Sequence, residues 1–280
     1  MAYRAEISRT NPSLILLTID QSGSMEDPFG KGPTGRSKSD SLADAINRLL
    51  QNLVIKCTKS EGIRDYYHVG VIGYGEKGVG PAFVGKLAGR EIVPISEIGN
   101  NPARVDNRMK KIDDGVGGIL EQIIKFPIWF DPVAKGGTPM CEALRRAKTI
   151  IYDWLKQHPG CYPPIIINVT DGEATDGDAL ALAEELKDMS SEDGNVLLFN
   201  LHLSSSDHDP IEFPESSTDL PDNFARLLFT MSSKLPDNMW TMVQAEGFIT
   251  SENPRGFVFN ADMVSVVRFL DIGTRPSNLR

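Results

Sequence analysis

Apolar residues in this chain gather into short unbroken runs that alternate with stripes at helical spacing. The first run, Leu14–Thr18, has no regular polar position, the pattern of a strand buried on both faces at the centre of a sheet. The Gly- and Pro-rich stretch Asp27–Gly35 reads as a loop. Beyond it, Leu42, Ala45, Ile46, Leu49, Leu50, Leu53, Val54 and Cys57 form one apolar stripe and predict a helix, with Ser37 or Ser39 as its N-cap. Tyr67–Tyr74 predicts the next strand, and Gly78–Ile98 an irregular hairpin broken by Gly and Pro. Val105–Ile124 reads as a helix weakened by Gly115, Gly117 and Gly118. Phe126–Lys135 reads as a loop with aromatics of the exposed kind.

Pro139 opens a clearer helix, whose face is Met140, Ala143, Leu144, Ala147, Ile151, Trp154 and Leu155, and His158-Pro159-Gly160 ends it. Pro164–Val169 and Asn195–Leu203 predict strands, with a helix over Asp178–Met189 between them. Ser204–Asp222 is a polar, acidic loop. Phe224, Leu227, Leu228, Met231 and Leu235 mark a further helix. A short one at Asn238–Phe248 and a last at Ala261–Leu270 precede a loose tail to Arg280. Alternating strands and helices predict an α/β sheet with helices on both faces. There is no repeat or linker, so the 280 residues read as one domain.

Charge narrows the functions open to such a domain. A net charge of -9 and the lack of a basic run argue against a nucleic-acid surface. Cys57, Cys141 and Cys161 form no CxxC pair and no even framework, as expected of free thiols in a reducing compartment. The N-terminal MAYRAEISRTNPS has no apolar signal region, and no run reaches the ~18 apolar residues that span a bilayer. The expected location is the cytoplasm.

Candidate chemistry sits where the first strand ends. In LILLTIDQSGSM the apolar run stops at Asp20, and Ser22 and Ser24 follow at alternate positions. One carboxylate and two hydroxyls at a strand tip are hard oxygen donors that suit Mg²⁺, or Mn²⁺ or Ca²⁺ in its place. Thr138 in GGTPM and Asp171 in TDGE could complete the shell, since ligands bind outside the carboxyl ends of such sheets. Each piece also has a plainer reading: Ser22-Gly23-Ser24 and Asp171-Gly172 as turns, and Thr138 as a helix cap. Joint occurrence, each piece beside an apolar element, favours the metal.

Together these segments resemble the metal-ion-dependent adhesion site of the von Willebrand factor A domain, which has the form DxSxS…T…D. The resemblance covers about Ser13 to Leu270. It implies a doubly wound, mostly parallel sheet with one antiparallel edge strand. It also implies that Ser22, Ser24 and Thr138 offer hydroxyl oxygens, and that Asp20 and Asp171 bind directly or through water. Such a site leaves a coordination position open to a Glu or Asp carboxylate of a partner protein, with no catalysis. Stand-alone bacterial members, including those of tellurium-resistance systems, are the most similar. They work beside kinases, phosphatases or AAA-type ATPases, which implies a role in signalling, stress response or assembly. The long loop Glu26–Lys38, with Phe29, would border the metal, and Phe126–Phe130 with Trp129 is a second candidate contact unless these aromatics tuck under their own loops.

Other groupings are weaker. His202, Asp207, His208 and Asp209 lack a recognised ligand spacing and fit a solvated loop. His68 reads as a packed histidine, and Asp113-Asp114 as a surface pair on a helix. A metal-dependent phosphohydrolase is the alternative function. Against it, Ser22 stands where a phosphatase using Asp20 as nucleophile would place a second acid, and no GxSxG elbow is present.

Overall fold

The computed structural model describes residues 2–29, 35–113, 119–204, 208–248, 252–260 and 263–273. In chain order the main elements are β1 (Ser13–Gln21), α1 (Lys38–Cys57), β2 (Tyr67–Gly75), β3 (Gly78–Pro81) and β4 (Val93–Pro94). They continue with α2 (Ile95–Asn100), β5 (Arg104–Asp113), β6 (Ile119–Ile128), α3 (Met140–Gln157), β7 (Ile165–Thr170) and α4 (Ala179–Asp188). The last are β8 (Leu197–His202), β9 (Ile211–Glu212), α5 (Asn223–Met231), α6 (Asp237–Ala245), β10 (Phe257–Phe259) and α7 (Met263–Gly273).

The main sheet runs β9-β10-β8-β7-β1-β2-β3, with β4 also paired to β2. β10, β8, β7, β1 and β2 run parallel to one another. β3 and β4 lie antiparallel to β2. The expected doubly wound, mostly parallel sheet with an antiparallel edge is thus present, and the two-residue β9 adds an antiparallel pairing at the opposite edge.

Side-chain alternation along β1 explains the two layers. Ile15, Leu17 and Ile19 enter one core with the stripe of α1 and with Val266, Phe269 and Leu270 of α7. Leu14 and Leu16 enter the other, with Met140, Ala143, Leu144 and Ala147 of α3 and with residues of α4 and α5. Burying each leucine of the α1 stripe is worth roughly 1.5–3 kcal/mol. β1 is flanked by β2 on one side and β7 on the other, and the helices that precede these strands cover opposite faces. The strand order therefore reverses at β1, and the crevice that forms at such a reversal opens at its C-terminal end.

Several expectations need correction. The helix expected over Val105–Ile124 is a β-hairpin, Arg104–Asp113 pairing antiparallel with Ile119–Ile128. Val105, Met109 and Ile112 fall at helical spacing, but residue-for-residue antiparallel pairing of the two segments decides for the strand. Gly115, Gly117 and Gly118, which discourage a helix, lie outside the described residues, as does Asp114; Asp113 ends β5 rather than lying on a helix. The aromatics of Phe126–Lys135 are not exposed: Phe126, Trp129 and Phe130 are buried. Trp129 Nε1 donates to the Ile98 carbonyl at 2.7 Å, and the Trp129 and Phe130 amides donate to Asn47 Oδ1 of α1. Trp129 is a core residue and offers no contact to a partner. The three-residue strand β10 was not expected, and the Gly78–Ile98 hairpin ends in the short helix α2.

Candidate metal centre

β1 carries Asp20 at its end, and the chain turns at once into a single helical turn, Gly23–Glu26. β7 ends at Thr170, so Asp171 is the first residue beyond it. Parallel pairing of β1 with β7 brings these two strand ends together. Thr138 arrives on the loop before α3, and that loop is fixed by the backbone. The Lys135 amide donates to the Gln21 carbonyl at 2.6 Å, and the Gly23 amide to the Gly136 carbonyl at 2.9 Å. Gly136 has φ of +85°, and a Cβ there would lie 2.5 Å from the Glu76 backbone, so no other residue fits this turn.

Four of the five expected residues form one hydrogen-bonded chain. Asp20 Oδ1 accepts from the Ser22 amide at 2.8 Å, and Asp20 Oδ2 from Thr170 Oγ1 at 2.7 Å. Ser22 Oγ and Ser24 Oγ lie 3.1 Å apart. Ser24 Oγ donates to Asp171 Oδ1 at 2.7 Å across 147 residues of sequence. Thr138 joins from the other side: a Cβ on Gly172 would sit 3.7 Å from Thr138 Oγ1 and 4.0 Å from Ser24 Oγ. Both hydroxyls therefore face the bare backbone of Gly172. Capping is not the role of Thr138. The Cys141 and Glu142 amides at the start of α3 donate to the Asp176 carboxylate at 2.9 and 2.8 Å.

Burial sets the electrostatics. Asp20 is 1% exposed, and this desolvation lifts its carboxyl above the ordinary range, with the nearby Asp171 adding to the rise. Hydrogen bonds from Ser22 and Thr170 oppose that rise. Asp171 Oδ2 accepts from Lys38 Nζ at 2.7 Å, in a pair whose side chains are 0% and 4% exposed. Lys38 is the first residue of α1, and Asp27 approaches the same ammonium at 3.6 Å.

Beneath the site runs a polar ladder that a reading of apolar runs conceals. Thr18 Oγ1 and the Tyr74 hydroxyl both donate to Asn168 Oδ1 at 3.0 Å. Asn168 Nδ2 donates to Asn200 Oδ1 at 3.0 Å, and Asn200 Nδ2 to Ser232 Oγ at 2.9 Å. Burial raises the Tyr74 hydroxyl well above its usual value, so it stays a donor.

The donor set fits a hard divalent cation: two carboxylates and three neutral hydroxyls drawn to one crevice, with the Lys38 ammonium already supplying positive charge beside Asp171. Among the described residues no group of three or more His, Cys, Asp or Glu is placed to hold a metal, so the crevice differs in kind from a cage of such ligands. His202 lies buried in β8 between the rings of Phe224 and Phe259, and His208 is exposed. Asp207 lies outside the described residues. His68 packs on Trp154, its ring 5.0 Å away.

Next to the crevice opens a cleft of about 610 Å³, lined by Gln21, Glu26, Glu76, Lys77, Val79 and Lys135 among others, though by none of the five expected ligands.

No family model and no curated relative matches the chain. Among the solved structures it is similar to, three illustrate the low identity. One is the vWF domain of the type V pili tip protein Mfa5 from Porphyromonas gingivalis, 16% identical with a TM-score of 0.29, over 59% of this chain and 39% of that one. Another is proximal thread matrix protein 1 from the mussel byssus, 9% identical with a TM-score of 0.38, over 82% of this chain and 41% of that one. The third is the ArnB paralog VWA2 from Sulfolobus acidocaldarius, 14% identical with a TM-score of 0.33, over 71% of this chain and 36% of that one. This chain therefore spans roughly two fifths of each of those lengths. Likenesses this distant transfer no residue role.

Proposed function

We propose that the chain is a von Willebrand factor A-type interaction domain that captures a carboxylate of a partner protein through a divalent cation, Mg²⁺ first. The observation that carries this reading is the convergence of three distant segments at the C-terminal ends of the central strands β1 and β7. Ser22, Ser24 and Asp171 are linked by contacts of 3.1 and 2.7 Å, and Thr138 Oγ1 lies beside the same glycine. Asp20, Ser22, Ser24, Thr138 and Asp171 would hold the ion, which when bound would supply the positive charge that a partner's Glu or Asp seeks. Three of these donors are neutral, so with one of the two carboxylates reaching the ion only through water its charge at the open position would be incompletely cancelled. Asp20 is held in place by hydrogen bonds from the Ser22 amide and the Thr170 hydroxyl. The site lies at the surface, since Ser24 is exposed while Asp20 and Ser22 are buried beneath it.

A cytoplasmic setting, in signalling, stress response or complex assembly, belongs to the same proposal. It is supported by three cysteines that are all unpaired and buried. Among the described residues no helix is long and apolar enough to cross a membrane.

The test is capture from native extract on the immobilised chain, with Mg²⁺ or with EDTA, beside Thr138→Ala. Loss of the Thr138 hydroxyl breaks no hydrogen bond found among the described residues, so the fold should stand. A set of partners held by wild type in Mg²⁺, and lost both in EDTA and with Thr138→Ala, is expected. The same set under all three conditions would contradict the proposal.

A further inference from the structure

Lys38 stands out as a charge where none was expected. It opens α1, where the helix dipole disfavours a cation, yet its side chain is 4% exposed and aimed at Asp171. Its Nζ lies 2.7 Å from Asp171 Oδ2, and its backbone amide is tied to the Asp27 carbonyl at 2.9 Å. Asp171 Oδ1 is engaged by Ser24. Both oxygens of the carboxylate are thus satisfied from within the chain, one of them by a full positive charge.

We propose that Lys38 is a tethered cation that competes with the divalent ion for Asp171, so that loading the site requires its ammonium to leave. This rests on the metal reading above. The charge balance supports it. Asp20 and Asp171 supply two negative charges, which a divalent ion neutralises alone; an ammonium left in place would be a third positive charge in a water-poor crevice. A lysine stem is long and flexible enough to carry the head out to solvent, and the half-exposed Asp27 at 3.6 Å is a partner on that path. A lysine at this position sets the metal affinity of the site lower than its oxygen donors alone would give.

Mn²⁺ titration of the full chain, following free Mn²⁺ by electron paramagnetic resonance, tests this with Lys38→Met and Lys38→Arg. Lys38→Met should bind at least ~10-fold more tightly than wild type, a modest share of the repulsion expected between close charges, while Lys38→Arg should not. A second measurement needs no variant: the rate at which acetic anhydride labels Lys38 in wild type should rise when Mn²⁺ is saturating. Equal or weaker Mn²⁺ binding by folded Lys38→Met, or a labelling rate that Mn²⁺ leaves unchanged, would overturn the competition and leave the metal site standing. Absence of Mn²⁺ binding by every form would overturn both.

Discussion

Removing Asp171 from the ion-free protein should be expensive, and the structure says why. Its carboxylate is 0% exposed and meets an ammonium that is 4% exposed at 2.7 Å. Asp171→Ala leaves that ammonium buried with Asp27 as its remaining acidic partner, 3.6 Å away and 59% exposed. Stranding one member of a buried ion pair costs about 3–5 kcal/mol. Lysine can withdraw toward solvent, which places the expected loss near the lower end, about 3 kcal/mol. Ser24 adds little, because it is exposed and water can replace the lost acceptor. Lys38→Met together with Asp171→Asn removes both charges and should return to within about 1 kcal/mol of wild type. Urea unfolding in EDTA, followed by tryptophan fluorescence, measures this directly, since Trp129 and Trp154 are both buried. Equal slopes would show that the change lies in stability and not in the denatured state. A loss below about 1 kcal/mol for Asp171→Ala, or a double variant as unstable as the single one, would refute the reasoning.

Three further outcomes are expected. Asn168→Leu deprives Thr18, Tyr74 and Asn200 of buried partners and should cost about 2–4 kcal/mol in the same urea assay; a loss within 0.5 kcal/mol would be too small for stranded polar groups. Burial lowers His202 to about 4 from its ordinary 6.5, so the unfolded chain takes up the proton first as pH falls. Its contribution to stability is complete above pH 6.5 and shrinks by about 3 kcal/mol down to pH 4; His202→Phe should flatten that part of a pH–stability curve, and an unchanged slope would count against it. With Mg²⁺ or Mn²⁺ the protein should release no p-nitrophenol from p-nitrophenyl phosphate, and turnover abolished by Asp20→Asn would bring back the phosphohydrolase alternative.

Much of the site could be read from the chain because its signals are local. Asp20, Ser22 and Ser24 ride on one strand end, and an apolar run followed by alternate oxygens needs no tertiary knowledge to be seen. Thr138 and Asp171 stand out through glycines and the strand or helix next to them. Lys38 carries no such mark. A lysine in the first turn of a helix ordinarily faces water, and its partner lies 133 residues away, so only packing reveals the pair. Asn168 and Asn200 were hidden for a related reason: single polar residues in apolar runs look like interruptions until parallel register stacks them with Thr18. The β5–β6 hairpin shows where periodicity misleads. Its scattered β-branched residues satisfy helical and strand spacing alike, and antiparallel pairing decides between them. Three residues of β10 are too few to carry any period at all.

The central claim is that oxygens from three distant stretches share one ion, and anomalous diffraction from crystals grown with Mn²⁺ tests it most directly. A single strong peak within about 2.0–2.4 Å of the hydroxyls of Ser22, Ser24 and Thr138, with the Lys38 ammonium moved off Asp171, is the result this account predicts. A crevice without a peak at saturating Mn²⁺, with Lys38 still on Asp171, would contradict it.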